Sequence, residues 1–183
     1  MRIAVSAMGS TNDEMISSMN RIAEAKAEII ELRLDFLTEK PDLERLLSHT
    51  AIPKIVNHRI TTKLIVSYHN FYYTPENIDM ITKYDKIAGT SADIIKIATF
   101  AKNLDDSIRM LNLISRTNDS KKKPLIGICM GEKGMITREW GPVYGGYLTF
   151  ASIDDKTASA PGQISIARLR ENWRNLKLDY SAR

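Results

Sequence analysis

The sequence predicts a parallel α/β fold of strand–helix units, with its chemistry gathered where the strands end. Three observations carry this. Strand-like and helix-like segments alternate along the chain, with no hairpin signal between successive strands. The stretch Ser91-Ala92-Asp93-Ile94-Ile95-Lys96-Ile97-Ala98-Thr99 is an almost continuous apolar run, the pattern of a parallel strand covered on both faces. Polar residues cluster at the carboxyl ends of strands, which is where a closed α/β barrel builds its site.

Each element has a local reason. Arg2 to Ala7 is apolar and β-branched enough for a first strand. Thr11 or Asn12 can cap a helix, with Asp13 and Glu14 well placed in its first turn. Ile29-Ile30-Glu31-Leu32-Arg33-Leu34-Asp35 reads as a second strand, and its alternation puts three charges on one face. A helix follows from about Pro41 to Leu47, and a helix tolerates Pro in its first turn. The segment 51–62 fits either a strand at Lys54–Arg59 or a short helix, and the helix is preferred. Lys63–Ser67 is a strand that runs into Tyr68-His69-Asn70-Phe71, and a helix starting near Thr74-Pro75 carries Ile78, Ile81 and Ile87. The Lys96 strand precedes a helix over about Leu104–Arg116, then a strand over Pro124–Cys129. Gly131 to Gly146 holds five glycines and reads as a long loop with a short helix inside. Tyr147–Ala151 is the last strand, and a polar loop, Ser152–Gln163, leads into a helix over about Ile164–Leu176. The clear strands are therefore six, at 2–7, 29–34, 64–67, 93–98, 124–129 and 147–151.

Composition narrows the function classes. With 183 residues the chain is expected to form one domain, 1–183, with a sizeable core. The net charge of +4, from 26 basic and 22 acidic residues, is too small and scattered to indicate nucleic acid, and suits an anionic small substrate. Lys121-Lys122-Lys123 reads as a solvated turn. A single cysteine, Cys129, excludes an internal disulfide and a cysteine-cluster metal site. No signal peptide is evident, and no apolar run approaches the roughly 18 residues that span a bilayer, so a cytoplasmic protein is expected. There is no Gly-x-Gly-x-x-Gly after the first strand and no Walker sequence.

Lys96 is the costly residue. An ammonium inside an apolar strand must reach water, find a counter-ion or lose its proton. Snorkelling from a strand end is the ordinary outcome. Deprotonation would instead give an amine nucleophile suited to Schiff-base chemistry. His69 ends the preceding strand, Glu31 and Arg33 lie in the second, and Arg138, Ser159 and Gln163 lie in the two late loops. A lone His is most often structural, and Arg33 can be an ion-pair partner of Glu31 or Asp35. Ala158-Ser159-Ala160-Pro161-Gly162-Gln163 says more, because it is a low-bulk loop whose backbone N–H groups favour an anion.

Six stretches in one order give the family resemblance: Glu31-Leu32-Arg33-Leu34-Asp35, Ser67-Tyr68-His69-Asn70-Phe71, Ala92-Asp93-Ile94-Ile95-Lys96-Ile97-Ala98, Thr137-Arg138, Leu148-Thr149-Phe150 and Ala158–Gln163. The chain resembles the type I 3-dehydroquinate dehydratases of the shikimate pathway. The resemblance implies a TIM-type (β/α) barrel without metal or cofactor, here reduced to about six strands instead of eight. It implies that Lys96 forms a Schiff base with the ketone of 3-dehydroquinate, that His69 is general base and then acid, and that Glu31 orients and charges the His. Arg33, Arg138, Ser159 and Gln163 would bind the anionic substrate, and the product would be 3-dehydroshikimate.

The departure lies between Glu31 and His69, where only 38 positions remain and the family has many more. Arg59 would replace a further substrate arginine if Lys54–Arg59 is a strand. If that segment is a helix, two strands are absent, and this alignment is preferred. A barrel short of strands exposes sheet edges. An open six-stranded barrel, a six-stranded closure of altered shear, or edge pairing between copies would answer that, and a homodimer is expected. Neither a nucleic acid nor a membrane is expected as partner. The competing functions are a Schiff-base lyase or aldolase for another keto acid, and a non-enzymatic binding protein derived from the family.

Overall fold

The computed structural model describes residues 2–56, 64–120, 122–154 and 160–177. In order these form β1 (Ile3–Ala7), α1 (Asn12–Glu24), β2 (Ile29–Leu32), α2 (Leu43–Ser48), β3 (Lys54–Val56), β4 (Ile65–His69), α3 (Asn77–Ala88), β5 (Ile94–Phe100), α4 (Leu104–Asp119), β6 (Leu125–Met130), α5 (Met135–Trp140), β7 (Thr149–Ala151) and α6 (Ile166–Asn175). Helix starts follow the sequence signals. The Thr11 side chain accepts from the Glu14 N–H, and Asn103 and Asp106 form a reciprocal capping box on α4.

All strand pairs are parallel. They make two sheets, one in the order β3-β2-β1-β7 and one in the order β4-β5-β6. The Tyr147 N–H donates to the Leu125 carbonyl at 2.9 Å and links the β7 end of one sheet to the β6 end of the other. At the opposite margin β3 and β4 are the outer strands, and no pairing joins them among the described residues.

Side-chain alternation divides the core into three layers. Ile3, Val5 and Ala7 of β1 face outward, packing with Met15, Met19 and Ile22 of α1 and Leu169 and Trp173 of α6. Ile95, Ile97 and Cys129 face outward on the second sheet, under Met80 and Tyr84 of α3 and Met110 and Ile114 of α4. Between the two sheets lie Ala4, Ile29, Ile94, Ile126, Ile128, Leu148 and Phe150. The two sheets thus share one interior, as the walls of a barrel do, and among the described residues they do not close into one.

Two expectations are corrected. Lys54–Val56 is a strand, with Ile30, Glu31 and Leu32 paired to Lys54, Ile55 and Val56, so the described residues hold seven strands and the helix preferred for 51–62 is overturned at 54–56, while 57–62 lie outside the described residues. A run of Ile55 and Val56 beside Lys54 serves either structure locally, and pairing with β2 decides it. The second strand also stops sooner than expected, at Leu32. Arg33 takes φ −88° and ψ 73°, and Leu34–Phe36 form a 3-10 turn. Only Glu31 of the three charges therefore sits in the strand. Arg59 and Ser159 lie outside the described residues.

Trp173 is fully buried against β1 and α1, and its indole N–H donates to the Glu139 carbonyl at 2.8 Å. Trp173→Ala is expected to lower stability by about 3–5 kcal/mol, read as a reduced urea midpoint.

Candidate active site

The register of the strands builds the site. Ser6 pairs with Glu31 across β1 and β2, and Ser67 pairs with Lys96 across β4 and β5. Ser6 is two residues on from inward-facing Ala4, Glu31 two on from Ile29, and Lys96 two on from Ile94. With a period of two, all three project into the space between the sheets.

Lys96 Nζ stands 3.7 Å from Glu31 Oε1, and both side chains are about five-sixths buried, with 15% and 16% of their surface exposed. The Ser6 hydroxyl donates to the other carboxylate oxygen, Glu31 Oε2, at 2.5 Å. Lys96 Nζ also lies 4.2 Å from the centroid of the Phe150 ring, a cation–π placement. Burial lowers the Lys96 pKa below its ordinary value, Glu31 opposes that, and the Arg33 and Arg138 charges add to it. The amine is thus pushed toward its neutral, nucleophilic form while one carboxylate keeps it in place.

His69 is exposed, at the end of β4, and its ring stacks on Phe71 at 5.8 Å with the planes 9° apart. Its pKa is lowered, first by desolvation and then by the Lys96 ammonium, with Glu31 raising it and Arg33 lowering it. A neutral imidazole that feels both Lys96 and Glu31 is equipped to take a proton from a molecule seated on Lys96.

The two arginines behave differently. Arg33 spends its fork on Asp35, with Nε to Oδ1 at 2.9 Å and Nη2 to Oδ2 at 2.8 Å, and lies over the Phe36 ring. Arg138 on α5 is almost wholly buried and has no carboxylate partner among the described residues. Its Nε donates to the Gly162 carbonyl at 3.1 Å and its Nη1 to the Phe150 carbonyl at 3.2 Å. Burial brings its pKa down to about 10. Arg138 therefore ties β7 and the late loop together beside the lysine.

That loop is seated by contact with the backbone after β6. The Gly131 N–H donates to the Pro161 carbonyl at 3.1 Å, and a Cβ on Gly162 would lie 2.3 Å from the Gly131 oxygen. Gly162 also has φ +74°, so both space and backbone require glycine here. Gln163 follows directly, half-buried, with its N–H on the Ala160 carbonyl.

The sequence profile described as Type I 3-dehydroquinase matches residues 3–60 and 42–179. The chain belongs to the type I 3-dehydroquinase family. This is a family of hydro-lyases. A 3-dehydroquinate dehydratase of Methanococcus maripaludis is 38% identical over 164 residues, 88% of this chain and 67% of that protein, so the chain spans about two thirds of that relative. The 3-dehydroquinate dehydratase structure from Geobacillus kaustophilus shares the fold with a TM-score of 0.86 at 22% identity, over 99% of this chain and 92% of that one. A type I 3-dehydroquinate dehydratase from Clostridium difficile, solved with covalently modified comenic acid, shares it with a TM-score of 0.83 at 22% identity, over 96% and 92%.

The two matched stretches overlap at 42–60. That overlap includes much of the segment that fits strand or helix in the sequence, and β3 beside β2 gives its 54–56 part as a strand. Two residues at the site were missed. Ser6 has a signal, a hydroxyl on the inward period of an otherwise apolar strand. Phe150 has none by itself, because an aromatic at the centre of a strand reads as core.

Arg138→Ala would leave two carbonyls short of their donors. It is expected to cost roughly 2–5 kcal/mol, measured by urea unfolding, with the loop around Gly162 becoming the first segment cut in limited proteolysis.

Proposed function

We propose that the chain converts 3-dehydroquinate to 3-dehydroshikimate and water through a Schiff base on Lys96. The observation that carries this is the buried lysine between the sheets, held 3.7 Å from Glu31 and lowered in pKa by burial. Family membership supports the substrate, and a relative that shares the fold was solved with a covalently modified small molecule.

Neutral Lys96 adds to the ring ketone, and loss of one water with uptake of one proton, returned on the final hydrolysis, gives the iminium. His69 removes a proton from the adjacent carbon, and the electron pair flows into the iminium to give an enamine. The enamine expels the hydroxyl one carbon further on, and the His69 proton leaves with it as the second water. Water then hydrolyses the conjugated iminium and frees the product and the amine. Glu31 holds the lysine and raises the basicity of His69 through its charge, with Ser6 fixing its second oxygen. Arg138 supplies positive charge beside Lys96 for the substrate carboxylate, and Gln163 and Ser159 of the late loop close over it. Arg33 reaches the substrate only by leaving Asp35, while Arg59 offers a further cation. The working form we propose is a cytoplasmic homodimer.

Incubation with 3-dehydroquinate and borohydride, followed by intact mass, is expected to give a reduced adduct on Lys96 and, without borohydride, an enone absorbance. Lys96→Ala should give neither. His69→Ala should still trap while kcat falls about 10²–10⁴-fold. No adduct and no absorbance would end the proposal, and an adduct without turnover would favour the binding-protein reading. Because Glu31 raises the lysine pKa, Glu31→Gln is expected to trap at lower pH than wild type.

A further inference from the structure

The lysine run that reads as a solvated turn has another surrounding in the fold. Lys122 and Lys123 face a cavity of about 410 Å³ together with Arg2, Tyr147, Pro124 and Pro142. The cavity lies where β1, β6 and β7 begin, beside the end of α4, and shares no lining residue with the Lys96 site. We propose that it binds a small dianion carrying a flat apolar ring.

Charge is the first argument. Among its described lining residues three are cations and none is Asp or Glu. Arg2 Nη1 donates to the neutral Tyr147 hydroxyl at 3.2 Å, and Lys123 Nζ donates to the neutral Thr90 carbonyl at 2.5 Å. Lys122 pairs with Asp85 at 2.9 Å, but both side chains are about half exposed, so that pair is weak and can be exchanged. The carboxyl end of α4 opposes an anion with a partial charge of about −0.5, less than Arg2 and Lys123, which have no carboxylate partner among the described residues, supply together.

Shape is the second argument. A cavity of this volume lies within the range of small-molecule sites. Pro124 and Pro142 give it apolar wall, and the Tyr147 ring already carries the Arg2 guanidinium 5.6 Å from its centroid. An inorganic anion would use the cations and leave that wall bare. A ring with two negative charges uses both. The charges can come from a phosphate ester or a dicarboxylate, and the two are separable by experiment.

Calorimetry on the intact chain at fixed ionic strength would use phenyl phosphate, phthalate and inorganic phosphate as probes. Saturable binding of phenyl phosphate or phthalate is expected, tighter than inorganic phosphate. Whichever binds tighter identifies the source of the charge. Arg2→Ala and Lys123→Met should each weaken it about tenfold or more, while Lys86→Ala on exposed α3 surface leaves it unchanged. Unliganded unfolding midpoints of the variants separate lost binding from lost folding, and Lys123→Met keeps the apolar stem. The proposal is overturned if neither aromatic probe saturates, if inorganic phosphate binds as tightly as both, or if folded Arg2→Ala and Lys123→Met variants bind like wild type.

Discussion

A lysine ammonium placed between two sheets is the constraint on which this structure turns. Parallel strands offer no escape for it, because their side chains point either into the helical layer or into the interior. Lys96 points into the interior, and the surrounding residues answer its cost. Glu31 supplies the opposite charge, Ser6 saturates the carboxylate oxygen that Lys96 does not face, and Phe150 presents the face of its ring. The compensation is partial, since burial still outweighs the carboxylate in setting the amine's pKa. An exposed lysine would be a poor nucleophile at neutral pH, and a fully compensated one would be inert.

The register explains why these residues meet. β1 and β2 bring Ser6 beside Glu31, and β4 and β5 bring Ser67 beside Lys96 with His69 one turn of the pleat further on. Arg138 acts at one remove. By bonding the Phe150 and Gly162 carbonyls it fixes the ring beside the amine and the loop above it. The Gly131–Gly162 contact does the same from the β6 side.

Much of this was legible in the sequence for physical reasons, and the exceptions are equally physical. Lys96 stood out because a charge in a β-branched run has few explanations. The period of two placed Glu31 correctly but carried Arg33 and Asp35 with it, whereas the chain leaves the strand at Leu32 and Arg33 and Asp35 pair with each other. The segment at 54–56 is short enough that its partner, β2, decides its structure. Ser6 escaped notice because one hydroxyl in an apolar strand is common, and its meaning depends on a carboxylate 25 positions away that only the register supplies. The outer strands β3 and β4 mark where the chain is shorter than the family resemblance implies, and among the described residues the interior between the sheets persists without a closed ring of strands.

The central claim is that Lys96 is held in the interior with its amine biased toward the neutral form. The direct measurement is an NMR titration of the lysine side chains in protein labelled with ¹³C-lysine, with the Lys96 signal assigned by its loss in Lys96→Met. Lys96 is predicted to titrate below the ordinary value of about 10.4. A Lys96 signal that titrates with the surface lysines, or above them, would contradict the account.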